Sequence, residues 1–254
     1  FYALIIFKFM NYVFSPNSLN YIICNRCFYL EQKYAINFSG GFPQVFSDLD
    51  IAQKNYFIDK STSFLSSKLA DGKFYKTVTK KDRSQRKKNS EPEFKDLEIP
   101  AYINSKILKD NKKRDFKLGG KRYGAKPDLV VKFSDSYGVL DFKTTGREDK
   151  TEKYKYQLEA YAQIFEHPDE DTLKLFPISE MGLVQFTPAD ITNSNLETIN
   201  QKMEMNYYSL KRDVNDFYNF ITSLIDVLEA NNITEKNSNC KKCNDADKYL
   251  ELKE

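Results

Sequence analysis

Residues 126–145 read Lys126-Pro-Asp128-Leu-Val-Val-Lys-Phe133-Ser-Asp-Ser-Tyr-Gly138-Val-Leu-Asp141-Phe-Lys143-Thr-Thr145. Two apolar runs flank the turn-forming stretch Ser134 to Gly138, which predicts a β-hairpin. Strand alternation puts Asp141 and Lys143 on one face and Phe142 on the other. Asp128 opens the partner strand, so two carboxylates and an ammonium can converge. Hard oxygen donors with open water positions suit Mg²⁺. Such an ion polarises a phosphate and acidifies a bound water. Lys143 can orient that water or offset charge developing on the phosphate. A surface hairpin with a cross-strand ion pair uses the same residue types and is worth little. The apolar neighbours Leu129, Val130, Val131, Val139, Leu140 and Phe142 favour the metal site, because polar groups set among buried strands need a reason.

Outward from the hairpin, residues 151–166 predict a helix with Tyr154, Leu158, Tyr161, Ala162 and Phe165 on one stripe. Its Gln157 and Tyr161 share a face by their i, i+4 spacing. Asp115–Lys121, closed by Gly119-Gly120, and Met181–Thr187 predict further strands. Residues 207–230 predict a long helix with Phe217, Phe220, Ile221, Leu224 and Leu228 inward. Upstream, Ser15-Pro16-Asn17-Ser18 opens a helical pattern through residue 36. A second helix is expected from Asp48 to about Leu69, with Leu49, Ala52, Tyr56 and Phe57 on one side. Residues 76–96, including the basic run 80–88, read as a solvated loop. The order of elements predicts one α/β core. The expected parts are an extension (1–9), an N-terminal helical part (10–75), the core (114–190) and a C-terminal helix and tail (206–254), all in a single domain.

Composition narrows the function. The 254 residues carry 39 basic and 36 acidic side chains, a net charge of only +3. A polycation that coats nucleic acid is therefore excluded, and any such binding must come from a local patch. No stretch reaches the roughly 18 apolar residues of a membrane span, so no membrane partner is expected.

All four cysteines fall into two C-x-x-C pairs, Cys24/Cys27 and Cys240/Cys243, near opposite ends of the chain. Four thiolates in two pairs suit a tetrahedral Zn²⁺ ion or a [4Fe–4S] cluster. One shared metal would bring the first helix and the tail together and stabilise by closing a very long loop. Reduced, metal-binding cysteines point to an intracellular, reducing compartment.

The stretch 126–145, with Tyr156-Gln-Leu-Glu-Ala-Tyr161 behind it and Ser15-Pro-Asn-Ser-Leu-Asn-Tyr-Ile-Ile-Cys-Asn-Arg-Cys-Phe-Tyr-Leu30 ahead of it, resembles the RecB-like branch of the PD-(D/E)XK nuclease superfamily. It is similar to CRISPR-associated RecB-like exonucleases. The resemblance implies a restriction-endonuclease-like core, a mixed β-sheet flanked by helices. It implies Mg²⁺ or Mn²⁺ and hydrolysis of DNA at ends or in single strands. Asp128, Asp141, Lys143, Gln157 and Tyr161 become the catalytic set, with Asp128 and Asp141 as metal ligands.

The family also implies a further upstream ligand, often His. Here the single His167 follows the Gln157 helix and precedes Pro168, where it reads as a helix-end residue. By position Asp50 is the best replacement, with Asp59 second. The resemblance implies a [4Fe–4S] cluster at the cysteines, with Zn²⁺ the alternative, because relatives split their ligands one and three where this chain splits them two and two. A helicase, recombination or CRISPR partner and a cytoplasmic, prokaryotic or phage setting follow from the same likeness. Two rival expectations stand beside it. One is a catalytically inactive nucleic-acid-binding or scaffold subunit that keeps the nuclease fold. The other is a zinc-stapled helical adaptor.

Overall fold

The computed structural model describes residues 12–20, 24–34, 44–58, 60–78, 99–100, 102–120, 125–146, 151–170, 173–194, 197–230, 232–238, 240 and 242–243. Along the chain the elements are β1 (Tyr12–Phe14), α1 (Pro16–Leu19), α2 (Asn25–Tyr34), α3 (Gln44–Phe57), β2 (Lys73–Val78), β3 (Ile99–Pro100), β4 (Leu108–Lys109) and β5 (Asp115–Leu118). Then come β6 (Leu129–Lys132), β7 (Tyr137–Thr144), α4 (Lys155–Glu166), β8 (Ile178–Ser194), β9 (Ile199–Leu210) and α5 (Val214–Glu229). Single 3₁₀ turns lie at Thr62–Phe64 and Thr151–Tyr154.

The predicted hairpin forms the middle of a six-stranded sheet of order β3-β2-β6-β7-β8-β9. Leu129 pairs with Leu140 and Val130 with Val139. The sheet is mixed. β7 and β8 run parallel, joined through α4, while β2–β6, β6–β7 and β8–β9 are antiparallel. A second, three-stranded sheet has the order β1-β5-β4. The α/β class with helices flanking mixed sheets is thus as expected.

Alternation divides the large sheet into two faces. Val130, Val139, Met181 and Leu183 pack with Leu158, Tyr161 and Phe165 of α4 and with Phe217, Ile221 and Leu224 of α5. Leu129, Val131, Leu140, Phe142, Val184 and Phe186 pack on the other side around Phe57 of α3. The Phe57 ring meets Phe74, Phe142 and Phe186 at centroid distances of 5.6, 5.5 and 6.4 Å. These separations lie in the favourable range for aromatic pairs.

Two ion networks tie the layers. Arg212, just before α5, donates to Glu159 at 2.7 Å, to both oxygens of Glu166 at 2.8 and 2.9 Å, and to the Ile178 carbonyl at 2.7 Å. Arg114 holds Asp110 at 2.6 Å and Glu229 at 2.6 Å, which fastens β5 to the end of α5. Gly119 has φ +148°, and a Cβ there would lie 2.0 Å from Asn104 Oδ1, so only glycine fits.

Several expectations are corrected. The helical pattern of 15–36 resolves into α1 and α2, with Cys24 just ahead of α2 and Cys27 in its first turn. The second helix spans Gln44–Phe57 rather than Asp48–Leu69. Phe57 anchors it in the core, and the Lys60 amide already turns back to the Phe57 carbonyl at 3.1 Å. Its inward stripe is Asp50, Gln53, Lys54 and Phe57, while Ala52 and Tyr56 are exposed. Residues 73–78 form strand β2, not the end of a helical part or a loop. Residues 207–210 belong to β9, and the last helix begins at Val214 behind the N-cap Asp213. β8 is also longer than expected, because beyond Phe186 it runs out with β9 as a two-stranded ribbon. The extension 1–9, Asp59 and the basic run 80–88 lie outside the described residues.

Candidate functional site

Where β6, β7, α3 and α4 meet lies a cleft of about 710 Å³. Its lining includes Asp50, Lys54, Asp128, Asp141, Lys143 and Gln157. The hairpin therefore brings Asp128, Asp141 and Lys143 together as the spacing predicts, and α3 delivers Asp50 to the same place.

Each of the two hairpin carboxylates is anchored by one oxygen and presents the other to a cation. Asp128 Oδ2 accepts the Phe142 backbone N–H at 2.7 Å. Asp128 Oδ1 faces the Lys54 ammonium at 2.7 Å. Asp141 Oδ1 accepts from Gln157 Nε2 at 2.9 Å. Asp141 Oδ2 is buried and paired with the Lys143 ammonium. Lys143 also sits 5.1 Å over the Tyr154 ring.

The electrostatics follow from this packing. Burial pushes the Asp141 carboxyl up to about 6, against the downward pull of Lys143. Burial draws Lys143 down, but the Asp141 and Asp128 carboxylates more than offset it and raise it above the usual lysine range. Burial, and then the charge on Asp128, raise the Asp50 carboxyl. Lys54, only 13% exposed, is drawn down by burial and raised overall by Asp128 and Asp50.

Gln157 lies at the cleft, and Tyr161 lies one helical turn behind it. Gln157 is buried, and its amide is spent on protein groups. It donates to Asp141 and to Asn17 Oδ1 at 2.7 Å, and it accepts from Asn20. Tyr161 is 2% exposed. Its hydroxyl lies 2.8 Å from the Lys126 carbonyl and 2.9 Å from Asn17 Oδ1, and its one proton serves one of them at a time. Tyr161 is therefore too deep to touch a ligand. Gln157 holds Asp141, and Tyr161 holds Asn17 and the Lys126 backbone, because α4 packs on the sheet face that carries Asp141.

Asp128 and Asp141 are the residues that could hold a hard divalent cation, each having one oxygen fixed by a protein donor and the other paired with a lysine ammonium. Asp50 lines the cleft too, with its carboxylate bonded to Lys54 one helical turn on. Asn17, Asn20 and Lys54 were not singled out from the sequence. Only the i, i+4 pair Asp50/Lys54 carried a local signal. His167 ends α4, with its amide bonded to the Gln163 carbonyl, and does not line the cleft.

At the other site the four cysteines meet. Their sulfurs all lie within 4.8 Å of one another, with Cys24–Cys243 at 3.4 Å, Cys27–Cys243 at 3.3 Å and Cys27–Cys240 at 3.7 Å. All four are buried. The expected joining of the first helices to the tail is present, and the cluster is close enough to bind a metal ion. Burial and the neighbouring thiols raise Cys27. Metal binding must therefore expel protons.

No family model and no curated protein matches the chain. Among solved structures the chain is similar to the one titled "Crystal structure of SSO0001", at 14% identity and a TM-score of 0.42, over 93% of this chain and 84% of that one. At that distance the functional reading rests on the site itself. Among the described residues, no helix is long and apolar enough to cross a membrane.

Proposed function

We propose that the chain is a metal-dependent DNA nuclease of the PD-(D/E)XK, RecB-like type, acting on ends or single strands. The observation that carries this reading is the paired arrangement of Asp128 and Asp141, each with one oxygen fixed and the other offered to a cation in one cleft. Asp128 and Asp141 would hold Mg²⁺ or Mn²⁺, with Asp50 beside them. The ion would supply Lewis acidity and a more acidic water. The chain's own contribution is positioning. Gln157 fixes Asp141, the Phe142 amide fixes Asp128, and Lys143 keeps an ammonium beside the reacting phosphate to offset charge as it develops. The test is incubation of the purified protein with labelled single- and double-stranded DNA in Mg²⁺, Mn²⁺ or EDTA. Cleavage is expected with metal and not with EDTA. The contact of Lys54 with Asp128 favours a second reading, an inactive DNA-binding subunit, which predicts binding without cleavage in every condition.

For the cysteines the sulfur spacing supports one tetrahedral Zn²⁺ over a [4Fe–4S] cluster. Zn–S bonds near 2.3 Å set sulfur–sulfur edges of about 3.8 Å, close to the 3.3–3.7 Å found here. A cluster must fit four irons and four sulfides between the same thiolates. Metal analysis of colourless protein containing one zinc would support this reading. A brown, iron-containing protein would refute it.

A further inference from the structure

We infer that Lys54 occupies one cation position of the acidic cleft and so lowers by one the number of divalent ions the cleft accepts. The inference rests on the reading that Asp128 and Asp141 hold a divalent ion. Lys54 is not a surface lysine. Its ammonium bridges Asp50, one turn earlier on α3, and Asp128 Oδ1 at 2.7 Å. Its side chain is 13% exposed, against 37% for Asp50. Holding a lysine there requires its charge to be satisfied, since an unpaired buried ammonium is costly. The helix is set for this, because Phe57 and Gln53 pin the same stripe. Phe57 is in the core, and Gln53 Nε2 donates to Thr144 Oγ1 of β7 at 3.2 Å.

Charge balance points the same way. Inside the cleft, Asp50, Asp128 and Asp141 face Lys54 and Lys143, which leaves one net negative charge. Lys126 stands exposed on the rim, where solvent screens it. One divalent ion and one phosphodiester bring the interior to neutrality. A second divalent ion would leave it doubly positive, at separations where like charges repel strongly in a partly dry site. Two-metal sites clamp an oxygen between ions roughly 3.5–4 Å apart. Here Lys54 supplies the second positive charge as a tethered ammonium, and Asp50 serves as its counter-ion.

The experiment counts Mn²⁺ ions bound by the full chain, by calorimetric titration and by electron paramagnetic resonance, in the wild type and in Lys54→Met. Met keeps the apolar stem and removes the charge, and hard Mn²⁺ avoids the thiolate site. Lys54→Met is expected to bind one ion more than the wild type, with the spin-coupled spectrum of a close pair. Lys54→Arg, which keeps the charge, is expected to match the wild type. Equal counts in wild type and Lys54→Met overturn the inference, as does a spin-coupled pair in the wild type. If Lys54→Met does not fold, judged by circular dichroism, Lys54→Gln takes its place. A wild type that binds no Mn²⁺ while the variant binds one defeats the nuclease reading and supports the role of Lys54. No binding in either defeats both.

Discussion

The Phe142 backbone amide donates to Asp128 Oδ2 across 2.7 Å. The bond joins the residue that precedes β6 to the middle of β7 and needs no side chain from β7. Phe142 points to the opposite face and packs on Phe57. Asp128 is therefore aimed by the hairpin itself, and the rest of its coordination is left to cations.

Asp141→Asn is expected to abolish metal-dependent cleavage, by at least about 100-fold, since loss even of outer-shell partners costs 10–100-fold. The structure buries Asp141 to 2% beneath Gln157. Asp141→Ala should therefore also destabilise, by roughly 3 kcal/mol, because Lys143 loses its nearest counter-charge. Denaturant unfolding of Asp141→Asn and Asp141→Ala in EDTA checks this. Equal stability of Asp141→Ala and wild type would show that the pair is not buried in solution.

Gln157→Ala should reduce Mn²⁺ affinity by about 10–100-fold, the usual loss for a residue that orients a ligand. Tyr161→Phe should cost roughly 0.5–1.5 kcal/mol of stability, with a smaller change in metal affinity. Neither should change DNA binding measured in EDTA, since both side chains are spent on the protein.

Arg212→Met should lower stability by roughly 3–5 kcal/mol, the usual cost of stranding a buried charge. Glu159 is only 1% exposed and Glu166 10%. Adding Glu159→Gln should recover part of the loss. Thermal unfolding of the single and double variants gives the coupling directly.

His167 is the only histidine, so its proton resonances titrate without overlap. Burial, then the Lys106 ammonium, hold the imidazole below its usual value. Its midpoint should fall below about 6.5. Between 6.5 and the lower folded midpoint the unfolded chain binds more protons, so stability is lost as pH falls through that window. His167→Gln should flatten that part of the stability profile.

Cys240→Ser, or removal of the cysteine-bound metal by a chelator, should lower the melting temperature and free the tail. Limited proteolysis near residues 232–238 should then accelerate. An unchanged melting temperature after complete metal loss would show that the cluster is not a staple.

The hairpin, α4 and the cysteine cluster were legible because each announces itself locally, by alternation, helical period or spacing. The limits of α3 and β9 were not. Tyr207, Tyr208 and Leu210 precede the apolar stripe of the last helix and suit a helix as well as a strand. Pairing with Val184 and Leu183 in β8 decides for the strand, and only the folded chain supplies that partner. Strand β2 was missed for the same reason, since Phe74 and Tyr75 lie among lysines and gain their place from Val131 and Val130. Asn17 was hidden because its role is to bond Gln157, 140 positions away.

The cysteine cluster also sets a clock. Asn17 lies on α1, seven positions before Cys24, and Cys27 is 213 positions before Cys240. At about 5–20 residues per second of synthesis, the second cysteine pair follows the first by about 10–40 s. Through that interval Asp128, Asp141 and Gln157 all emerge, while the segment that braces Gln157 still lacks its fastening. Assembly of the cleft is thus tied to the late arrival of two thiols, and a chain interrupted before Cys240 carries every acid with the N-terminal brace unfastened.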